Sequence, residues 1–474
     1  MVTRRTIVGG LPGLMMANTA WAQEGKPGTV PTVTKPLAEY LAKARFDDLP
    51  PPVRREAVRT LLNWVATALG GAHHTATDRA CAAVIPFAGK PQAGLIARRE
   101  RLDAMNAALL NGIAGHVLDF DDTHLPTVIH PSTAVVPVLL AMSEYKPIGG
   151  ADLLNALVLG VETSCRIGNA VSPEHYDIGW HITGTAGVFG AAAATARLLG
   201  LDARQTGWAL GIAASQPVGL QESLGYMNKS FNAGRAAANG MMAAFLAAQN
   251  FESSDRMIEA PHGWAPIVST KQDYAQITEG LGTRFEILRN AYKPFPCGVV
   301  MHPSLDAALK LRAAGVKAQD VARIDLKVHP RTMILTGRPT PTDGMESKFS
   351  VYHGVAVALI VGAAGEKEFS AAAVNDPRVL ALRAKVFPVV ESSLAADQVD
   401  MTVTLKDGTK RHQFITHAIG SANTPMTDAE IDRKFLGLAD GVVPAAQAQR
   451  IMALCRGMEG LKDAGELSRS LQIV

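Results

Sequence analysis

Residues 119–132 read Asp-Phe-Asp-Asp-Thr-His-Leu-Pro-Thr-Val-Ile-His-Pro-Ser, and this stretch holds the residue types with the most chemical capacity in the chain. Asp119, Asp121, Asp122, Thr123, His124 and His130 place carboxylates, a hydroxyl and imidazoles within this one fourteen-residue stretch. Such a set binds a cation through oxygen ligands, or it moves protons beside an anionic substrate. Something rigid must aim these groups. Residues 104–117 supply it: Met105, Ala108, Leu109, Gly112 and Ile113 recur at spacings of three and four, the period of a helix with one buried face. Asp119, Asp122 and Thr123 then fall near the end of a packed helix and can point into a cleft.

Four positions, His130 among them, have suitable chemistry in their local context. His130 precedes Pro131, which disfavours helix at the histidine and holds it on a loop. His181 lies in Gly179-Trp180-His181-Ile182-Thr183-Gly184, just before an alanine-rich helix whose first backbone amides favour a carboxylate. Lys229 is expected between two helical segments, and its ammonium would pair with a carboxylate or with charge building on an enolate. Arg235 offers either a bidentate carboxylate clamp or an ordinary helix-surface cation. Asp119, Asp122 and Thr123 admit a proton reading, and Asp119, Asp121 and Asp122 a magnesium reading.

The order of motifs resembles the MmgE/PrpD family. Asp119 to Thr123 with His130-Pro131-Ser132 carries the likeness, joined by Gly179-Trp180-His181, Lys229 with Gly234-Arg235-Ala236-Ala237, Ala260-Pro261-His262-Gly263-Trp264 and Lys293-Pro294-Phe295-Pro296-Cys297. That family includes 2-methylcitrate dehydratases, cis-aconitate decarboxylases and an iminodisuccinate epimerase. The resemblance implies a cofactor-free, metal-free lyase acting on a small di- or tricarboxylic acid, with dehydration of a 2-methylcitrate-like substrate as the leading outcome. Decarboxylation, epimerisation, or carboxylate binding without turnover are the alternatives. It implies His130, His181, Lys229 and Asp119 as catalytic residues, and Thr123, Asp122, Arg235, His302, Tyr352 and His353 as substrate contacts. It also implies a homodimer. Two departures bear on specificity. The loop from Thr123 to His130 is one residue longer than in decarboxylase-like members, and Tyr352 or His353 stands where the family often has a site tyrosine.

The bulk numbers narrow the alternatives. A chain of 474 residues exceeds the usual single-core size, so two domains are expected. The net charge is +3 with no long run of Lys or Arg and no aromatic-basic ladder, so no nucleic-acid partner is expected. The body has no uninterrupted apolar stretch of membrane-spanning length. Cys81, Cys165, Cys297 and Cys455 are scattered, without the clustered thiolates of a zinc or iron–sulfur site. At the N-terminus, Thr3-Arg4-Arg5, a modest apolar run and Ala20-Trp21-Ala22 predict a twin-arginine export signal over residues 1–22 and a periplasmic mature protein; a cytoplasmic protein with an N-terminal tail is the alternative. Residues 23–36 read as a linker.

The predicted fold is mainly α. A large helical domain occupies residues 37–290 and resumes over 421–474. A smaller α+β lid domain is inserted at 291–420. Val53, Ala57, Val58, Leu61, Leu62, Val65 and Leu69 keep one apolar helical face, and further helices are expected over 152–167, 185–199, 235–249, 304–314, 350–361 and 445–458, with a capping box at Thr427-Asp428-Ala429-Glu430. Strand alternation marks 322–328 and 399–405, followed by a two-residue Asp407-Gly408 turn into 411–416.

Overall fold

The computed structural model describes residues 31–421 and 423–473. The expected export signal, residues 1–22, and most of the expected linker lie outside them. Residues 32–474 form one compact unit. Within it lie three large buried cores, two among helices and one around a sheet. The two parts anticipated from chain length are therefore joined into one body. Buried lysines from the sheet-bearing segment and a half-buried lysine from the C-terminal helices reach into the helical part, as described below.

The fold is mainly helical. Pro51–Gly71 starts on prolines, which are pre-set for a first turn, and buries Val53, Ala57, Leu61, Leu62, Val65 and Leu69. Ala104–His116, Pro131–Tyr145, Gly150–Val171, Ile182–Leu199 and Asn228–Ala248 form the centre. Small residues set how closely they approach. A Cβ added to Gly112 would sit 2.6 Å from Gly234 Cα, so only glycine permits this crossing of Ala104–His116 with Asn228–Ala248. That crossing brings Lys229 to the end of the Ala104–His116 helix. Ile182–Leu199 is long and apolar enough to cross a membrane, but 89% of it is buried inside the protein, as befits a core helix.

Lys229 itself lies in the first turn of Asn228–Ala248, not between helices as expected. The helix begins seven residues before the expected start at 235.

The sheet has the order Val386–Val390, Val321–Val328, Val399–Leu405, Lys410–Ile415. The first pair is parallel and the others antiparallel. Ile324, Leu326, Val328, Val399, Met401 and Val403 face a core shared with helices His302–Ala313 and Val351–Val361. Val386–Val390 gave no strand signal because Pro388 interrupts it; proline is confined to edge strands, and this strand is an edge. The hairpin turn also differs from expectation. Leu405 N donates to Thr409 O, leaving Lys406-Asp407-Gly408 as a three-residue turn with Gly408 at φ 86°.

Candidate active site

The Ala104–His116 helix ends at His116, and the chain turns sharply at Asp119, which has φ 51°. Aspartate is among the few residues that tolerate this left-handed conformation. Three lysines secure the turn. Lys348 Nζ donates to Leu118 O at 2.7 Å, Lys293 Nζ to Asp119 O at 3.0 Å, and Lys434 Nζ to Phe120 O at 2.6 Å. Cations on carbonyls just beyond a helix C-terminus satisfy orphan acceptors and complement the helix dipole. The two residues Thr123–His124 then pair antiparallel with Asn290–Ala291. A second left-handed residue follows at Val128, φ 57°, an unfavourable conformation for a β-branched side chain. It lies in the loop between Thr123 and His130 and faces a cavity.

That cavity is small, about 40 Å³, and its lining includes Asp119, Thr123, His130, Tyr176, His181 and Lys229. On the sheet-bearing side, Lys293, Val300, Leu335 and Phe349 close it. His130 immediately precedes Pro131–Tyr145 and His181 immediately precedes Ile182–Leu199, so both imidazoles stand at helix N-termini.

The partners of each imidazole assign its proton. Asp121 is fully buried; its Oδ2 lies 2.7 Å from His116 Nδ1, and its Oδ1 stands 3.2 Å from His130 Nδ1. The second contact is poorly aligned as a hydrogen bond, yet the carboxylate charge favours a proton on Nδ1 of both rings. His130 Nε2 is then bare and able to accept a proton. His181 is the complement. Asn232 Nδ2 donates to His181 Nδ1 at 3.2 Å, which places the proton of that ring on Nε2. The site thus presents one imidazole acceptor and one imidazole donor. Burial holds both rings neutral, pushing His130 down to about 3 and His181 well below its ordinary value.

Lys229 Nζ donates to Asp119 Oδ1 and to His116 Nε2, each at 2.8 Å, leaving its third proton uncommitted. Burial lowers its pKa, and the carboxylate of Asp119 opposes that shift. Lys293 differs: its ammonium meets Asp119 O at 3.0 Å, Asp119 Oδ1 at 3.0 Å and Cys297 O at 3.2 Å, which uses all three donors. Burial works against the Asp119 carboxylate, but the two lysines beside it outweigh that and hold it far below the usual range. Asp119 Oδ2 and Thr123 Oγ1 are buried without a partner, so a ligand can meet both.

Among the described residues, His116, Asp121 and His130 also bring ligand-type atoms within 4.8 Å of one another. Their spacing suits protons better than a metal ion. The His116–Asp121 contact is already at hydrogen-bond distance, His116 Nε2 accepts from Lys229, and two ammonium groups stand beside the cluster.

Of the residues singled out in the sequence, His130, His181, Lys229, Asp119 and Thr123 line this one cavity. The others do not. Asp122 turns away and accepts from Ser132 Oγ and Asn290 Nδ2, tying the Pro131–Tyr145 helix to the short strand; burial raises it to about 7. Arg235 is exposed, because six residues beyond Lys229 a helix presents a different face. Tyr352 packs half-buried against the sheet core, and His353 is buried with Nε2 2.8 Å from Glu368 O. Both belong to the Val351–Val361 helix, whose apolar face is the sheet's; Phe349, just before that helix, lines the cavity instead. His302 lines a neighbouring chamber, with Nε2 3.3 Å from Cys297 O.

Reading by residue type passed over His116, Tyr176 and Lys293 as site residues, and gave Asp121 only a place in the magnesium alternative. His116 was hidden at the end of a strongly apolar helix. Lys293 did carry a signal, as part of Lys293-Pro294-Phe295-Pro296-Cys297.

The MmgE/PrpD N-terminal domain profile matches residues 35–277, and the MmgE/PrpD C-terminal domain profile matches 295–458. A cis-aconitate decarboxylase of Mus musculus is 29% identical over 392 residues, covering 78% of this chain and 79% of the relative. A cis-aconitate decarboxylase-like protein of Aspergillus oryzae is 26% identical, covering 92% and 96%. A cis-aconitate decarboxylase of Aspergillus terreus is 25% identical, covering 92% and 95%.

Proposed function

The chain belongs to the MmgE/PrpD family, and from that premise we propose that it is a cofactor-independent lyase acting on a small polycarboxylic acid. The observation that carries this reading is the pairing, in one small cavity, of a bare, proton-accepting imidazole Nε2 on His130 with a donating Nε2 on His181, beside the Lys229 ammonium. Proton transfer at a carbon next to a carboxylate needs a base, an acid and a cation for the developing enolate. Asp119 and Thr123 supply the remaining polar contacts.

Two outcomes use this set differently. In decarboxylation of a cis-aconitate-like acid, the electron pair of the breaking carbon–carbon bond forms a new double bond. The old double bond takes up a proton beside a carboxylate, and carbon dioxide leaves. The relatives named above favour this outcome. In dehydration of a 2-methylcitrate-like acid, His130 takes the proton α to a carboxylate, and His181 protonates the departing hydroxyl, releasing water. The base–acid pair favours this second outcome. Product analysis by NMR against cis-aconitate, citrate and 2-methylcitrate separates them. Carbon dioxide with a new terminal alkene marks decarboxylation, and an internal alkene without carbon dioxide marks dehydration. Turnover is expected to survive exhaustive chelation; loss of activity restored by magnesium would give the aspartates a metal-binding role. No turnover of any of these acids would count against the lyase reading.

The same reading includes a homodimer exported to the periplasm and cut after Ala22. Mature protein from its host should begin at Gln23 and run as a dimer in light scattering. An intact Met1 in the cytosolic fraction, or a monomer at micromolar concentration, would remove the corresponding part.

A further inference from the structure

At the end of the sheet-bearing part away from the catalytic residues lies a cavity of about 750 Å³. Helices His302–Ala313 and Val351–Val361 connect the two places. Val300 and Phe349, just before these helices, line the catalytic cavity. Arg312 and Ile360, in their last turns, line the larger one. At about 1.5 Å per residue, helices of this length set the two apart by roughly 16–18 Å. They share no lining residue.

The larger cavity is lined by charge of one sign. Arg312, Lys317, Arg378, Lys385 and Lys406 contribute to it, and among the described residues no aspartate or glutamate does. The whole chain holds 46 Lys and Arg against 43 Asp and Glu, so five cations without an acid depart from its ordinary mixture. Part of this charge has a local task. Arg312 donates to Leu359 O, Lys385 Nζ donates to Val321 O at 2.7 Å, and Arg378 pairs with Asp376 at 2.7 Å. These contacts leave donors to spare on Arg312 and Lys385. Lys317 and Lys406 are exposed, and their ammonium groups have no partner among the described residues. The rest of the lining is apolar at Val316, Ile360 and Leu382.

The volume is that of a small-molecule site. Its lining asks for concentrated negative charge joined to an apolar group. A tricarboxylate supplies the charge without the apolar surface, and a flat membrane cannot fill a concavity. We propose that this cavity binds a soluble phosphate ester with three or more negative charges and a planar ring, the chemistry of a nucleoside triphosphate. Its phosphates meet Lys317, Lys406 and the spare donors of Arg312 and Lys385. Its ring lies against Val316, Ile360 and Leu382. The site is independent of the lyase reading.

The test is calorimetric titration of the full chain with ATP, inorganic tripolyphosphate, adenosine and citrate. ATP is expected to bind at least about tenfold more tightly than tripolyphosphate, through burial of the ring. Lys317→Ala combined with Lys406→Ala should lower ATP affinity about five- to thirtyfold, the worth of two partly screened ion contacts. Ala381→Glu, which puts a carboxylate on the exposed part of the wall, should lower it as well. Lys43→Ala combined with Lys90→Ala removes the same charge from exposed positions elsewhere and should leave affinity unchanged. Urea unfolding verifies each variant's fold. No binding of ATP, or an equal loss in the Lys43 and Lys90 pair, overturns the site. Adenosine binding as tightly as ATP overturns the role of the cations, and tripolyphosphate doing so overturns that of the ring. Citrate affinity that falls with ATP affinity in the Lys317 and Lys406 pair overturns the phosphate class. Binding to phosphatidylglycerol vesicles without binding to ATP overturns the soluble ligand.

Discussion

Alanine in place of His130 lowers turnover by about 10²–10⁴-fold, the usual worth of a positioned general acid or base. His181→Ala falls in the same range. The two losses should differ in kind. His130 offers a bare Nε2 because Asp121 draws the proton to Nδ1, whereas His181 offers a proton on Nε2 because Asn232 donates to its Nδ1. Asp121→Asn should therefore cost about as much as removing His130, although Asp121 is fully buried and absent from the cavity lining. An amide can donate to either ring and so loses control of both tautomers; in a comparable carboxylate–imidazole pair the same exchange costs about 10⁴ in turnover. The Asp121 effect should appear in kcat with little change in KM. Lys229→Ala should change both, since its charge acts on bound substrate and on the transition state. Steady-state kinetics on the true substrate, with urea unfolding to verify the fold, check these expectations. An unchanged His130→Ala enzyme would end the assignment.

Acid should unfold this protein at a pH where most proteins of its size are stable. Burial holds His130 and His302 at about 3, and His175 and His353 at about 4, against about 6.5 in an unfolded chain. Their pKa values are depressed, so the stability they contribute is complete above about pH 6.5 and is lost as pH falls towards the folded values. In that window the unfolded state binds more protons. Two carboxyls oppose them. Burial raises Asp122 and Glu162 to about 7, so they stay protonated when folded and ionise when unfolded. Their contribution is present below about pH 4 and is lost as pH rises through 7. These four histidines, joined by His181, which burial holds lower than its ordinary value as well, outnumber the two carboxyls, so at least about two protons are taken up on unfolding near pH 5, a slope of at least about 3 kcal/mol per pH unit. The urea midpoint should fall steeply between about pH 7 and pH 5, within the slope just given. A flat midpoint across that range would mean that these groups titrate near their ordinary values.

Much of the helical part could be read in the sequence, because an amphipathic or alanine-rich helix carries its own period. Pro51–Gly71, Ile182–Leu199 and the capping box at Thr427 follow from spacing, a glycine stop at Gly200 with φ 71°, and a side-chain cap. The strands Val321–Val328 and Val399–Leu405 were legible for the same reason, with alternation placing Ile324, Leu326, Met401 and Val403 inside. The Asp-Phe-Asp-Asp-Thr run, His130 and His181 were conspicuous because polar residues between apolar helices need a reason to be there.

Tertiary structure alone decided which polar groups meet. Sequence spacing cannot tell that Asp122 turns to Asn290, 168 positions away, while its neighbour Asp121 holds two imidazoles. The left-handed turn at Asp119 makes successive side chains diverge, and the direction of each depends on what packs against it. Nor could spacing show that Lys348, Lys293 and Lys434 would come from distant segments to three successive carbonyls. Those contacts exist because buried carbonyls must find donors, and after a helix end the donors have to come from elsewhere in the chain. Arg235, Tyr352 and His353 followed their helices to other faces for the complementary reason: burying an apolar helix face fixes the direction of every other side chain on it.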